Sequence, residues 1–170
     1  MTDAADAVEV TRRIAAPPEV IFDLLARPSR HIEIDGSDML RGVVVDRPIS
    51  GIGETFTVMM HRLGRDYLMI NHVVEFEPNR RITWEPAPGD VDTAGGDPSR
   101  VGVPSGYRWG YRLVPNGETA TLVTEVFSTG TEENRWILQN EGGAWINGHN
   151  TVVDSMTTTL MMLEKAISSD

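Results

Sequence analysis

The sequence predicts an α+β domain in which about seven antiparallel strands curve around one long C-terminal helix, with two short helices after the first strand. Three observations predict it. Short runs that alternate apolar and polar side chains recur from Val8 to Ser128, Gly, Pro and Asn separate those runs at hairpin spacing, and beyond about residue 144 the apolar period lengthens to three or four.

Val8 to Ile14 alternates like a half-buried strand and is ended by Ala15-Ala16-Pro17-Pro18. Proline is tolerated in a first helical turn, where its missing N–H has no helical partner, so a helix is predicted there. Val20, Ile21, Leu24 and Leu25 form its stripe, Pro28 stops it, and Ser29 to Ile34 supplies a second short turn. Four β segments follow, at roughly 40–46, 54–61, 67–77 and 80–86. The turns between them are the Pro48–Gly53 stretch, Gly64-Arg65-Asp66 and Pro78-Asn79-Arg80. Residues 86–105 are rich in Gly, Pro and Asp, lack periodicity and read as a long mobile flap. Strands at about 106–114 and 119–128 flank Pro115-Asn116-Gly117, and Asn-Gly is the strongest short hairpin signal. Residues 131–138 read as a short helix, followed by a glycine break at 142–143. Trp145, His149, Val152, Met156, Leu160, Leu163 and Ile167 then fall on one face of a helix predicted over 144–167.

The 170 residues suit one domain spanning 1–170, with residues 1–7 expected to be frayed. Hydrophobic residues at 40% and charged residues at 24% are the balance of a folded protein. Cysteine is absent, which excludes disulfides, thiolate metal sites and thiol nucleophiles. A net charge of -10 opposes a phosphate backbone, so nucleic acid is not an expected partner. The acidic start has no apolar core of a signal peptide and no run is long enough to span a bilayer, so a cytoplasmic protein is expected.

The order of elements, together with Ile14-Ala15-Ala16-Pro17-Pro18-Glu19-Val20-Ile21-Phe22-Asp23-Leu24-Leu25, resembles the START-like or SRPBCC superfamily and its helix-grip fold. The stretches His31–Ser37, Gly51–Phe56, Arg81–Glu85 and Trp109–Leu113 are similar to it as well. That superfamily includes the birch-pollen allergen family, lipid-transfer domains and the polyketide cyclase/dehydrase group. The resemblance implies a cavity between sheet and helix and leaves the chemistry open, because its members bind sterols, lipids or hormones, cyclise polyketides or assist chaperones.

Strand alternation nominates the cavity lining. Leu68, Ile70, His72, Val74 and Phe76 form the more apolar side of their strand and are assigned inward, opposite Tyr67, Met69, Asn71 and Val73. The same rule points Phe56, Val58, Met60, Ile82 and Trp84 inward, with Tyr107, Trp109, Tyr111 and Leu113 as a further row. The helix adds Trp145, His149, Val152 and Met156. The expected ligand set is therefore Phe56, Met60, His72, Trp84, Tyr107, Trp109, Tyr111, Trp145, His149, Val152 and Met156, suited to a hydrophobic, ring-containing small molecule.

Two other functions compete with binding. A cyclase or aromatase would use His72, His149 or Tyr111 as acid or base. A protein-interaction module of the chaperone-activator type would use the outer sheet face, where Met59, Met69 and Val73 also suggest a homodimer contact. His31, Glu33, Asp35 and Asp38 gather near the expected cavity mouth as a weaker acid/base set, and Glu9, Glu75, Glu77, Glu125, Glu132 and Glu133 read as solvated faces. Histidine spacing supports no metal site, the Gly51-x-Gly53 turn precedes a strand and so makes no phosphate loop, and no nucleophile elbow is present. No metal or cofactor is expected.

Overall fold

The computed structural model describes residues 7–140 and 151–170, with the side chains of 137–140 aside. Seven antiparallel strands form one open sheet: β1 (Ala7–Ile14), β2 (Leu40–Val43), β3 (Thr55–Arg62), β4 (Arg65–Glu77), β5 (Arg81–Pro88), β6 (Arg108–Pro115) and β7 (Thr121–Ser128). The spatial order β1-β7-β6-β5-β4-β3-β2 is a meander closed at one side by β1, which returns to pair with β7. Helices α1 (Pro18–Leu25) and α2 (His31–Ile34) follow β1, α3 (Glu132–Asn140) follows β7, and α4 (Val152–Ser169) lies across the concave face.

Local chemistry explains the turns. The β3–β4 hairpin turns on Leu63 and Gly64, both at positive φ (51° and 78°), one residue earlier than the predicted Gly64-Arg65-Asp66. This pair of left-handed residues matches the twist of the strands it joins. Asn79 and Gly117 supply the positive φ of the next two hairpins at the predicted turns.

The core sits between α1, α2, α4 and the inner sheet face. Ile21, Leu24 and Leu25 of α1 meet Ile14, Ile82, Leu113 and Val123 from the sheet and Leu160 and Leu163 from α4. A smaller cluster of Phe127, Val152 and Met156 closes the other end. The predicted stripe of Val152, Met156, Leu160 and Leu163 is buried. The helix, however, begins at Val152 and not near residue 144, because Thr151 is extended (φ -72°, ψ 164°) and its side chain caps the Asp154 N–H. Trp145, His149 and the Gly142-Gly143 break lie outside the described residues.

One strand departs from simple alternation. The pairing of β4 with β5 shifts between Val73 and Glu75, so that Val73 opposes Trp84 while Phe76 opposes Ile82. The extra residue of this β-bulge reverses the phase of everything before it. Tyr67, Met69, Asn71 and Val73 therefore face inward, and Leu68, Ile70 and His72 face out, the reverse of the assignment from alternation. With Met69 and Val73 turned inward, Met59 is the one member of the proposed dimer patch that remains on the outer face.

The segment after β5 is tied to the sheet. Gly102 and Ser105 donate their N–H groups to the carbonyls of Pro88 and Pro86, continuing the edge of β5 beyond its pairing with β6. Asp90 accepts from the Leu68 N–H near the start of β4, and Ala94 is buried.

Candidate functional site

Between the sheet and α4 lies a cavity of about 640 Å3. Aromatic side chains make one of its sides. Phe56 from β3, Trp84 from β5 and Tyr111 from β6 share the inner face, and His31 from α2 joins them. His31 stacks on Trp84 (centroids 5.5 Å apart, planes at 20°) and meets Phe56 edge-on at 5.9 Å. Phe56 stands edge-on to Trp84 at 5.4 Å, and Trp84 leans on Tyr111 at 6.1 Å. Tyr107 and Trp109 line the same space and pack on Phe127. Val58, Met60 and Met69 add aliphatic and thioether surface, which adapts to ligand shape.

Six of the predicted ligand residues thus come together: Phe56, Met60, Trp84, Tyr107, Trp109 and Tyr111. Of the other five, three do not and two are not described. His72 is on the outer face, where its Nε2 donates to the Gly102 carbonyl at 3.0 Å, so both its binding and its acid/base roles lose their geometric basis. Val152 and Met156 are buried against Phe127, outside the cavity lining. Trp145 and His149 fall outside the described residues. From α4 the cavity receives Ser155 and Thr159 instead, the polar flank of the apolar stripe.

The chief correction is Glu125. It is no solvated glutamate: β7 places it between Val123 and Phe127 on the inner face, opposite Tyr111 in the register, with 6% of its surface exposed. Glu9 and Glu75, by contrast, sit on the outer face beside Arg112 and Arg81. Burial, reinforced by the negative charge of Asp35, pushes the Glu125 carboxyl well above the usual carboxylate range. The Tyr111 hydroxyl hydrogen-bonds this carboxyl, and burial next to Glu125 and Asp35 pushes the phenol upward too. The Oε2 atom of Glu125 is buried without a partner, as is the Ser155 hydroxyl. Strict alternation along Thr121–Ser128 would have flagged Glu125, since it shares a side with Val123 and Phe127 and not with Thr124.

Two further lining groups have fixed roles. His31 is fully buried, so desolvation lowers its pKa and keeps it neutral, and its Nε2–H donates to the Leu25 carbonyl at 2.8 Å. Asp35 accepts from the N–H groups of Ser37 (3.0 Å), Met39 (2.9 Å) and Leu40 (2.7 Å), which spends its oxygens on holding the entry to β2. Of the acidic set around residues 31–38, His31 and Asp35 reach the cavity, whereas Glu33 is paired with Arg30 and Asp38 with Arg41 on the surface. The rim is formed by exposed lining residues, among them Leu63, Arg65, Asp92 and Arg100.

The architecture has solved counterparts. Protein Ms6760 from Mycobacterium smegmatis superimposes with a TM-score of 0.66 at 15% identity, covering 99% of this chain and 96% of that one. A norcoclaurine synthase from Thalictrum flavum, a point mutant in complex with a transition-state analogue, gives 0.59 at 11% identity over 96% and 94% of the two chains. The fold is the helix grip. At these identities the likeness is one of fold. No family model matches the chain. In sequence, an uncharacterised protein of Mycobacterium tuberculosis, Rv0088, is 29% identical over 114 residues, or 67% of this chain and 43% of that protein. Another uncharacterised protein from a second strain of that species, MT0096, is 28% identical over the same length. The helix-grip chain therefore spans less than half the length of these relatives. Among the described residues no helix is long and apolar enough to cross a membrane, and no cluster of His, Asp and Glu is arranged to hold a metal ion.

Proposed function

We propose that this chain binds an apolar, ring-containing small molecule, of the lipid or polyketide kind, in the cavity between its sheet and α4. The supporting observation is the cavity itself: about 640 Å3, lined by Phe56, Trp84, Trp109 and Met69 with a few buried polar groups between them. Sites for small molecules have this size, roughly 300–1,000 Å3, and this mixture of apolar surface with sparse polar atoms. Mass spectrometry of freshly purified protein under native and then denaturing conditions is expected to show a discrete mass lost on unfolding. In solution, Met69→Trp should fill the cavity and cut the affinity of that extracted compound at least roughly tenfold while the protein stays folded, since Met69 is only partly buried. Unchanged affinity in this variant would place the ligand elsewhere and end the proposal.

The Glu125–Tyr111 pair favours a second reading, an enzyme that moves a proton in a closed apolar site. A buried carboxyl with a raised pKa is a general acid near neutral pH, and a tyrosine beside it can orient or relay the proton. The norcoclaurine synthase on the same fold is an enzyme by name, so the scaffold accommodates chemistry. Of the sequence-derived acid/base candidates, Tyr111 is the one the described cavity contains. Diacetylacetone, which closes to a pyranone with loss of one water, is a probe for such a site. Ring closure should be accelerated by the protein and lost in Glu125→Gln and Tyr111→Phe; equal rates with and without protein reject the reading.

A further inference from the structure

The buried half of the cavity carries more polar capacity than the protein itself uses. Glu125 and Ser155 are 6% and 4% exposed, yet Oε2 of the first and Oγ of the second have no hydrogen-bond partner. Buried polar atoms are nearly always paired, and each one left unpaired weakens the fold. Both line the cavity, one from the sheet and the other from the helix that faces it. Two orphaned groups on opposite sides of one space are what a ligand's own polar atom would satisfy.

We propose that the deep end of this cavity is a carbonyl-binding subsite, in which the Glu125 carboxyl and the Ser155 hydroxyl donate hydrogen bonds to the oxygen of a ring ketone or aldehyde. This rests on the cavity being the ligand site and specifies what the ligand carries. The surrounding groups decide between a carbonyl and other polar functions. Oε2 of Glu125 has no partner in the protein and burial favours the protonated carboxyl, so this group can donate to an acceptor that a ligand brings. Ser155 has not turned its hydroxyl back onto its helix, as Thr157 and Thr159 have by bonding the carbonyls four residues before them, so its proton is free to meet a partner outside the helix. Among the described lining residues, His31 is neutral with Nε2–H committed to Leu25, and the arginines are 62, 65 and 100, which come from the β3–β4 hairpin and the segment after β5 and not from the strand and helix that carry Glu125 and Ser155. A ligand carboxylate would meet Asp35 without a compensating charge. An ammonium would require Glu125 to ionise in an apolar enclosure. A neutral acceptor needs neither change.

Fluorenone and fluorene test this directly, because they share one ring skeleton and differ by the carbonyl oxygen. Binding is followed by quenching of the tryptophans that line the cavity, Trp84 and Trp109. The native protein should bind fluorenone roughly tenfold or more tightly than fluorene, the discrimination expected where buried donors are built to meet an acceptor. Glu125→Gln, which keeps a donor of the same shape, should retain the preference, and Ser155→Ala should reduce it. Glu125→Ala should abolish it; if that variant does not fold, the Gln and Ser155→Ala pair carries the result. Equal affinity for ketone and hydrocarbon overturns the subsite while leaving cavity binding intact. Tighter binding of 9-aminofluorene, whose aliphatic amine is protonated at neutral pH, than of fluorenone overturns it as well, in favour of an ionised Glu125. No binding by any of the three rings overturns the subsite and the cavity reading together.

Discussion

Gly36→Val is expected to lower the unfolding temperature by roughly 10 °C, equivalent to about 3 kcal/mol, the upper end of the usual cost of overpacking, because the contact is with rigid backbone. Gly36 follows α2 and carries the chain across α4 at a distance only a hydrogen can occupy. A Cβ there would stand 2.2 Å from the Ser155 carbonyl oxygen, 2.6 Å from the Thr159 nitrogen and 2.9 Å from Thr158 Cβ. Two of these atoms belong to the helix backbone and cannot rotate away. The approach is also held by a hydrogen bond, Gly36 N–H to Thr159 Oγ1 at 3.1 Å, while Thr159 donates to the Ser155 carbonyl. Valine must therefore part the α2–β2 connection from α4, which loosens Asp35 on one side of the cavity and Ser155 and Thr159 on the other. Gly51→Ala is the matched control: nothing lies within 4 Å of its added Cβ and its φ is ordinary, so it should change stability by less than about 0.5 kcal/mol. An unfolding temperature for Gly36→Val within about 2 °C of the native protein would refute this packing.

The features legible in the sequence are those governed by short-range chemistry. Period-two alternation in β3, β5, β6 and β7, the Asn116-Gly117 hairpin and the proline that opens α1 are each set by neighbours a few residues apart, and the structure has them where expected. The same holds for Val152, Met156, Leu160 and Leu163, whose spacing alone puts them on one side of α4. What failed depends on the partner strand or on three-dimensional placement. The bulge in β4 is a property of its pairing with β5, so a face assigned from the apolar count inherits the phase of Phe76 and turns His72 inward when it points out. Thr151 ends the helical stripe by capping, a local signal that the continuing apolar period concealed. Cavity lining is a different property from burial, which is why Met156 is buried without lining and Ser155 lines without being apolar.

Glu125 shows the limit most clearly, since a rule that assigns glutamate to solvent is sound for most glutamates and fails at the one this cavity encloses. The consequence is a pH-dependent cost that Glu125→Gln should remove. Below the ordinary glutamate pKa the carboxyl is protonated in both folded and unfolded chains, and native and variant proteins should differ little. Above it the unfolded chain ionises and releases its proton, whereas burial keeps the folded carboxyl protonated. The unfolded state is then favoured by about 1.4 kcal/mol for each pH unit until the raised folded value is reached. Glutamine does not titrate, keeps the shape and still offers Tyr111 an oxygen acceptor, so Glu125→Gln should be the more stable protein, by a margin that widens as pH rises above the ordinary glutamate pKa. His31 acts with the opposite sign: its lowered pKa means the unfolded chain takes up the proton first, so its contribution is lost as pH falls through the ordinary histidine range. The His31 effect is carried by both proteins, since Glu125 is not among its causes, and Tyr111, raised above the ordinary phenol value, does not titrate in the acidic-to-neutral range, so there the difference between their unfolding free energies reports Glu125. Urea unfolding of the two proteins across that interval measures it. A difference that stays flat with pH would mean that Glu125 is ionised in the folded protein, and would remove the donor on which carbonyl recognition and general-acid chemistry both depend.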